Sequence, residues 1–166
     1  MDFYYADEDY VDFLQTYEKN KRGFTRVPNI KYDTHKKFIF GSVLTINKFK
    51  YYVPISSKIK KGEGNLLIRT DDSERNIKGT MRFLFMFPIP DNMISLLKIN
   101  EVTDIKYKAL LQKEYEFCKK NSEAITDKAL NVYRKVTSGE FETLSRSSCD
   151  FKILEDAYTE FISNNK

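Results

Sequence analysis

The run Lys36-Lys37-Phe38-Ile39-Phe40-Gly41-Ser42-Val43-Leu44-Thr45-Ile46, then Asn47-Lys48, then Phe49-Lys50-Tyr51-Tyr52-Val53-Pro54-Ile55-Ser56-Ser57-Lys58-Ile59-Lys60-Lys61, decides how this chain is read. Both flanks are rich in β-branched and aromatic residues, which suit a pleated, half-buried surface. Asn47-Lys48 between them has the length and chemistry of a tight hairpin turn. A strand pair of this kind delivers the lysines at its start and the hydroxyls after its end to one place. Serines and cations gathered together are what gripping a phosphate, or acting on one, requires.

Working outward, Phe3, Tyr4 and Tyr5 within residues 1–6 predict a short opening strand. Asp7 or Asp9 can cap the helix that follows, in which Tyr10, Phe13, Leu14 and Tyr17 fall at i, i+3, i+4 and i+7 and read as a core-facing stripe. Residues 19–34 are basic, broken by Gly23 and Pro28, and read as a long functional loop holding Lys21, Arg22, Arg26, Lys31 and Tyr32. Downstream of the hairpin, Gly62 and Gly64 mark a loop, residues 66–69 a short strand and residues 71–76 a polar turn. Residues 80–87 are the most strongly β-like run, apolar enough for burial on both faces, and Pro88-Ile89-Pro90 ends it before a further strand at 93–99.

From Thr103 the pattern turns helical. Residues 104–120 offer Ile105, Leu110, Leu111, Tyr115 and Cys118 as a buried stripe, and residues 122–136 offer Ile125, Ala129, Val132, Tyr133 and Val136, closed by Gly139 as a C-cap. Ser148-Cys149-Asp150 opens a last helix with Phe151, Leu154, Tyr158, Phe161 and Ile162 on one face. Strands first and helices second predict an α+β fold in a single domain spanning residues 1–166.

Apolar content of 41% and aromatic content of 14% fit a packed protein. No apolar run approaches the roughly 20 residues of a membrane span, and the acidic start lacks the layout of a secretory signal, so a cytoplasmic protein with no membrane partner is expected. Cys118 and Cys149 lack CxxC spacing and are expected to be reduced thiols. Charge is unevenly spread. Residues 1–18 carry six acids and no Lys or Arg, whereas residues 19–69 carry thirteen Lys or Arg against Asp33 and Glu63, a net of +11. Like charges at that density call for an anionic partner, with nucleic acid the first candidate and an acidic protein or membrane surface the second.

The usual catalytic sets are missing. With one histidine there is no His pair and no metal cluster at ligand spacing, and no P-loop or Rossmann glycine pattern is present, so neither metal nor cofactor is expected. The carboxylate pairs Asp71-Asp72 and Asp7 with Asp9 sit in polar turns or beside a helix start, where solvation or capping is the default. Hydroxyl plus cation remains: Ser56, Ser57 and Lys58, with Lys36 and Lys37 entering the preceding strand. RNA carries its own nucleophile in the 2′-hydroxyl, so cleaving it requires positioning, stabilisation of charge on the phosphate and a proton for the departing 5′-oxygen. A lysine among cations gives up a proton more readily, which makes Lys37 a candidate donor or electrostatic stabiliser. Ser57, with no adjacent base, would hold the phosphate rather than attack it. His35 is either the base, a phosphate contact or a solvated side chain. A non-enzymatic RNA-binding domain is the alternative reading.

The chain resembles the type III toxin–antitoxin endoribonucleases, the ToxN and AbiQ group. The resemblance rests on ordered blocks: Met1-Asp2-Phe3-Tyr4, Lys37-Phe38-Ile39-Phe40-Gly41-Ser42-Val43-Leu44, Tyr52-Val53-Pro54-Ile55-Ser56-Ser57-Lys58, Gly79-Thr80-Met81-Arg82-Phe83-Leu84-Phe85-Met86-Phe87-Pro88-Ile89-Pro90, and Cys149-Asp150-Phe151-Lys152-Ile153-Leu154-Glu155. It implies a twisted antiparallel sheet forming a barrel-like core of the Kid and MazF type, with an N-terminal helix and several C-terminal helices. It also implies a metal-independent endoribonuclease that leaves 2′,3′-cyclic phosphate and 5′-hydroxyl ends, often at adenine-rich sites in mRNA. Such toxins are inhibited by a small repeat RNA pseudoknot whose precursor they process, and they join it in closed protein–RNA hetero-oligomers. By position it places Lys37, Ser56 and Ser57 at the catalytic centre. A proline expected after the hydroxyl pair is absent, so Lys58 or Lys60 fills the place of the lysine that follows it in the family. RNA-binding candidates are then Tyr32, His35, Lys36, Lys48, Lys50, Lys58, Lys60, Lys61, Arg69, Lys78 and Arg82, with Tyr51 and Phe49 joining Tyr32 as stacking nominees.

Overall fold

The computed structural model describes residues 1–31, 35–70 and 76–166, so Tyr32, Asp71 and Asp72 lie outside the described residues. Strand β1 (Asp2–Ala6) leads into helix α1 (Glu8–Arg22), the hairpin β2 (Ile39–Ile46) and β3 (Phe49–Ser56), then β4 (Asn65–Arg69), β5 (Ile77–Arg82), β6 (Phe87–Pro88) and β7 (Ile94–Leu96). Helices α2 (Ile105–Lys120), α3 (Ser122–Thr137), α4 (Glu142–Ser147) and α5 (Phe151–Asn164) complete the chain. The predicted caps hold: the carboxylates of Asp7 and Asp150 accept from the amides of Tyr10 and Ile153. Asp104 caps α2 in the same way through the Tyr107 amide, a cap the sequence did not single out.

The antiparallel sheet runs β4-β5-β3-β2-β1-β7, with β6 also on β3. The hairpin that the sequence predicts is its centre, in register from Ile39 opposite Pro54 to Ile46 opposite Phe49, and Asn47 takes the left-handed conformation at the turn (φ 54). A Cβ on Gly41 would lie 2.6 Å from the Tyr52 ring, so β2 passes too close to β3 there for any side chain. The described pairings leave β4 and β7 as the two ends of an open path, so the sheet does not close into the expected barrel. Strand β7 is three residues long, with a 3₁₀ turn just before it at Asp91–Met93 and another soon after it at Ile99–Glu101. That leaves little ladder with which to close.

The apolar run at 80–87 is not one strand. β5 stops at Arg82, residues Phe83–Phe85 make a 3₁₀ turn, and β6 rejoins the same neighbour, β3, further along. The turn lets Phe83, Met86 and Phe87 all be fully buried. On α2 the buried phase is Leu111, Glu114 and Cys118, whereas Ile105 is 83% exposed, which corrects the predicted stripe at its first position. Tyr51 and Phe49 are core residues: Tyr51 packs edge-on against Tyr133 and Phe151, and Phe49 against Tyr158, so neither ring is available to an RNA base. Helix α4 arises in a segment for which the sequence predicts no element.

The basic segment after α1 is pinned. The carboxylate of Glu18, wholly buried, accepts from the Thr25 hydroxyl (2.7 Å), the Arg26 amide (2.6 Å), the Arg22 guanidinium (3.1 Å) and the Asp150 amide (2.7 Å). The Gln15 side chain donates to the carbonyls of Val27 and Pro28. These bonds tie residues 25–28 to α1 and to the start of α5, and the Lys37 amide in turn donates to the carbonyl of Ile30.

Candidate active site

Because β2 and β3 are antiparallel, the residues just before β2 and just after β3 meet at the same end of the hairpin. There they line a cavity of about 290 Å³ formed by His35, Lys36, Lys37, Phe38, Ile55, Ser56 and Ser57, closed on the other side by Tyr107, Leu110 and Glu114 of α2. The Ser56 hydroxyl accepts from the amide of Lys58 (3.1 Å), which bends the chain out of the strand and leaves Ser57 exposed at the mouth. Thr80 on β5 braces the same loop: its hydroxyl donates to the Lys58 carbonyl (2.8 Å) and accepts from the Lys60 amide (3.1 Å).

His35 stacks flat on Tyr107, with ring centroids 3.8 Å apart and planes within 4°, and its Nε2 lies 3.7 Å from the carboxylate of Asp104. Asp104 is also the cap of α2, so the carboxylate that lies beside the histidine also fixes the start of the helix that roofs the cavity. Burial pushes the Tyr107 phenol up to about 12. Arg82 is drawn inward: its guanidinium donates to the Asn65 side chain (3.0 Å) and lies over Phe85, and burial lowers its pKa.

Glu114 is the member of this cavity that sequence reasoning missed. It is 4% exposed and stands between Leu111 and Cys118 on the buried face of α2. Neither of its carboxylate oxygens has a hydrogen-bond or ion-pair partner among the described residues, although each is open enough not to be sealed from solvent. A Cβ placed on Gly79 would be 3.5 Å from Glu114 Oε2 and 2.8 Å from the Ser56 carbonyl oxygen, so the carboxyl sits against the β3–β5 pairing where Ser56 leaves the sheet. Burial without a compensating cation pushes this carboxyl up to about 8. The signal in the sequence was an acid on the apolar phase of a helix, hidden by placing the stripe at Ile105 and Tyr115.

The remaining candidates disperse. Lys48 and Lys50 lie toward the turn end of the hairpin, roughly 20–25 Å from the cavity at about 3.4 Å per residue. Part of the +11 block meets the chain's own acids: Lys31 pairs with Asp12 (3.2 Å), Lys36 with Glu8 (3.7 Å) and Lys50 with Asp91 (3.1 Å). The acidic start of α1 therefore offsets cations that the sequence assigns to an outside partner. Lys58, Lys60 and Lys78 have no carboxylate partner among the described residues. Arg69 lines a separate groove of about 600 Å³ with Lys113 and Lys120, two α2 cations that the sequence reading passed over. Cys118 and Cys149 are buried free thiols, and no group of metal-ligating side chains occurs among the described residues.

The chain as a whole has recognisable relatives. A family model described as the toxin ToxN of type III toxin–antitoxin systems matches residues 2–159. The endoribonuclease ToxN of Pectobacterium atrosepticum is 28% identical, the match covering 97% of this chain and 94% of that protein. The endoribonuclease AbiQ of Lactococcus lactis subsp. lactis is 27% identical over 92% of this chain and 85% of its own. Among solved structures, one from work on selective toxin inhibition by a non-coding RNA pseudoknot superposes with a TM-score of 0.82 at 27% identity, covering 96% of both chains. The structure of AbiQ, a lactococcal anti-phage endoribonuclease, superposes with a TM-score of 0.78 at 25% identity, covering 98% of both chains.

Proposed function

The chain belongs to the ToxN toxin family of type III toxin–antitoxin systems, and on that premise we propose that the cavity at the open end of the β2–β3 hairpin is the cleavage site of an endoribonuclease held in check by a small RNA pseudoknot. The observation that carries the proposal is the convergence of Lys37, Ser56 and Ser57 on one cavity from two strand ends almost twenty residues apart in sequence. Ser57 hydrogen-bonds the scissile phosphate, Ser56 shapes the loop that presents it, and Lys37 stabilises the phosphorane charge and protonates the departing 5′-oxygen. The 2′-hydroxyl is the nucleophile, so the products are a 2′,3′-cyclic phosphate and a 5′-hydroxyl, and the reaction needs no metal.

The substrates in this reading are mRNA and the repeat precursor of the antitoxin, in the cytoplasm, and the inhibited form is a closed protein–RNA hetero-oligomer. Lys58, Lys60 and Lys61 in the loop after β3, Lys78 on β5, and Arg69 with Lys113 and Lys120 in the α2 groove supply the phosphate contacts, and the His35–Tyr107 stack supplies a face for a base. The kinship of the sheet to the Kid and MazF toxins belongs to this proposal too, supported by the interrupted β2–β3 register at Gly41 and Leu44, which bends the central strands.

Purified protein incubated with RNA in EDTA tests it: cyclic-phosphate products should form, and Ser57→Ala should abolish them and relieve growth arrest on expression while melting as the parent does. Intact RNA with the parent protein would return the chain to a non-enzymatic RNA-binding module.

A further inference from the structure

Lys37, Ser56 and Ser57 account for phosphate binding and for the proton delivered to the leaving group, but not for the proton that must leave the 2′-hydroxyl. Glu114 is placed for that task. It is more than nine-tenths buried, faces the cavity shared with Lys37, Ser56 and Ser57, and has no hydrogen-bond or ion-pair partner among the described residues. A carboxyl serving only the fold would be satisfied, as Glu18 is by four donors and Glu155 by the Tyr133 hydroxyl (2.9 Å). Leaving a buried polar group unmet costs stability, and such costs gather at functional sites.

Resting on the ribonuclease reading above, we propose that Glu114 is the general base of RNA cleavage, taking the proton from the 2′-hydroxyl of a nucleotide whose phosphate is held by Ser57. In that step the 2′-O–H bond breaks toward the Glu114 carboxylate, the 2′-oxygen forms a bond to phosphorus, the P–O5′ bond breaks, and the 5′-oxygen takes a proton from Lys37. Glu114 ends neutral and Lys37 uncharged, and exchange with water restores both. Desolvation strengthens the carboxylate as a base, because accepting a proton removes an uncompensated charge from the cavity.

Among the described residues, the titratable groups around it are Tyr107 and Cys118 on α2 and His35, Lys36 and Lys37 on the segment before β2, while β5 presents the backbone of Gly79 and β3 the serine hydroxyls. Burial raises Tyr107 to about 12 and pushes Cys118 up as well, so neither titrates near Glu114, which sits at about 8.

The test uses single-turnover cleavage of a labelled adenine-rich RNA in EDTA, with the full-length parent and Glu114→Gln, across pH 5.5 to 9.5. A matched RNA carries a 5′-thio leaving group that departs without an acid. The parent rate should climb with pH and level off near 8, and E114Q should lose roughly 100-fold or more and the climb with it. E114Q should stay slow on the 5′-thio RNA, whereas Lys37→Ala should recover on it. A parent that cleaves neither RNA overturns the ribonuclease reading and this assignment together. A parent that cleaves while E114Q, melting as a folded protein, cleaves within threefold of it overturns the assignment alone, as does rescue of E114Q by the 5′-thio RNA, which would make Glu114 an acid.

Discussion

Replacing Glu18 by alanine removes the acceptor shared by Arg22, Thr25, Arg26 and Asp150. Two of these donors are backbone amides that cannot turn away, and one is a guanidinium that would lose its carboxylate at a wholly buried position (Glu18 0% exposed). Removing one member of a buried charged pair costs about 3–5 kcal/mol, because the partner is left buried and unmet. At about 2–4 °C per kcal/mol for a chain of this size, the melting temperature should fall by roughly 10 °C. Circular dichroism melts read this directly, and hydrogen exchange should quicken at the amides of Arg26 and Asp150. Glu18→Gln should lie between, since its amide keeps an acceptor but turns an NH₂ toward one pair of donors. A drop below about 3 °C for E18A would refute the idea that this carboxylate clamps the basic segment to the two helices.

Two further outcomes follow from the cavity. Burial raises the folded-state carboxyl of Glu114 to about 8 from the ordinary 4.5, so the folded protein keeps a proton that the unfolded chain releases above 4.5; parent stability should therefore fall as pH rises from 4.5 through 8, and the gap in favour of E114Q should widen over that window by roughly a few kcal/mol in pH-dependent urea melts. Gly79→Ala puts a Cβ 2.8 Å from the Ser56 carbonyl oxygen and 3.5 Å from Glu114, so it should shift the end of β3 and lower RNA cleavage by an order of magnitude or more while costing roughly 1–3 kcal/mol, measured by paired activity and melting assays.

Local pattern was enough for much of this molecule. The hairpin, its Asn47 turn and its cargo of Lys37 and Ser56-Ser57 followed from strand-forming residues on either side of a two-residue turn, and the antiparallel pairing of one hairpin brings its two ends together wherever the rest of the chain goes. The caps at Asp7 and Asp150 and the buried face of α3 were legible for the same reason: each depends on residues within a turn or two of one another. Charge was legible as an amount but not as an allocation, since Lys31 and Lys36 meet Asp12 and Glu8 only once α1 lies beside the segment that leads into β2.

Tertiary structure decided the rest. Whether Tyr51 stacks on a base or fills the core depends on α3 and α5 covering that face of β3. The apolar run at 80–87 breaks at the Phe83–Phe85 turn because it carries more residues between its two pairings with β3 (Met81 opposite Ile55, Phe87 opposite Tyr52) than β3 itself does. Glu114 became part of the site only when α2 crossed the end of the sheet and carried a carboxylate out of water beside Ser56. A strand pair specifies its own ends through bonds between near neighbours in sequence. The dielectric around Glu114 is set by β3 and β5, elements distant in sequence from α2, and it is that surrounding which raises the carboxyl of an ordinary glutamate on a helix.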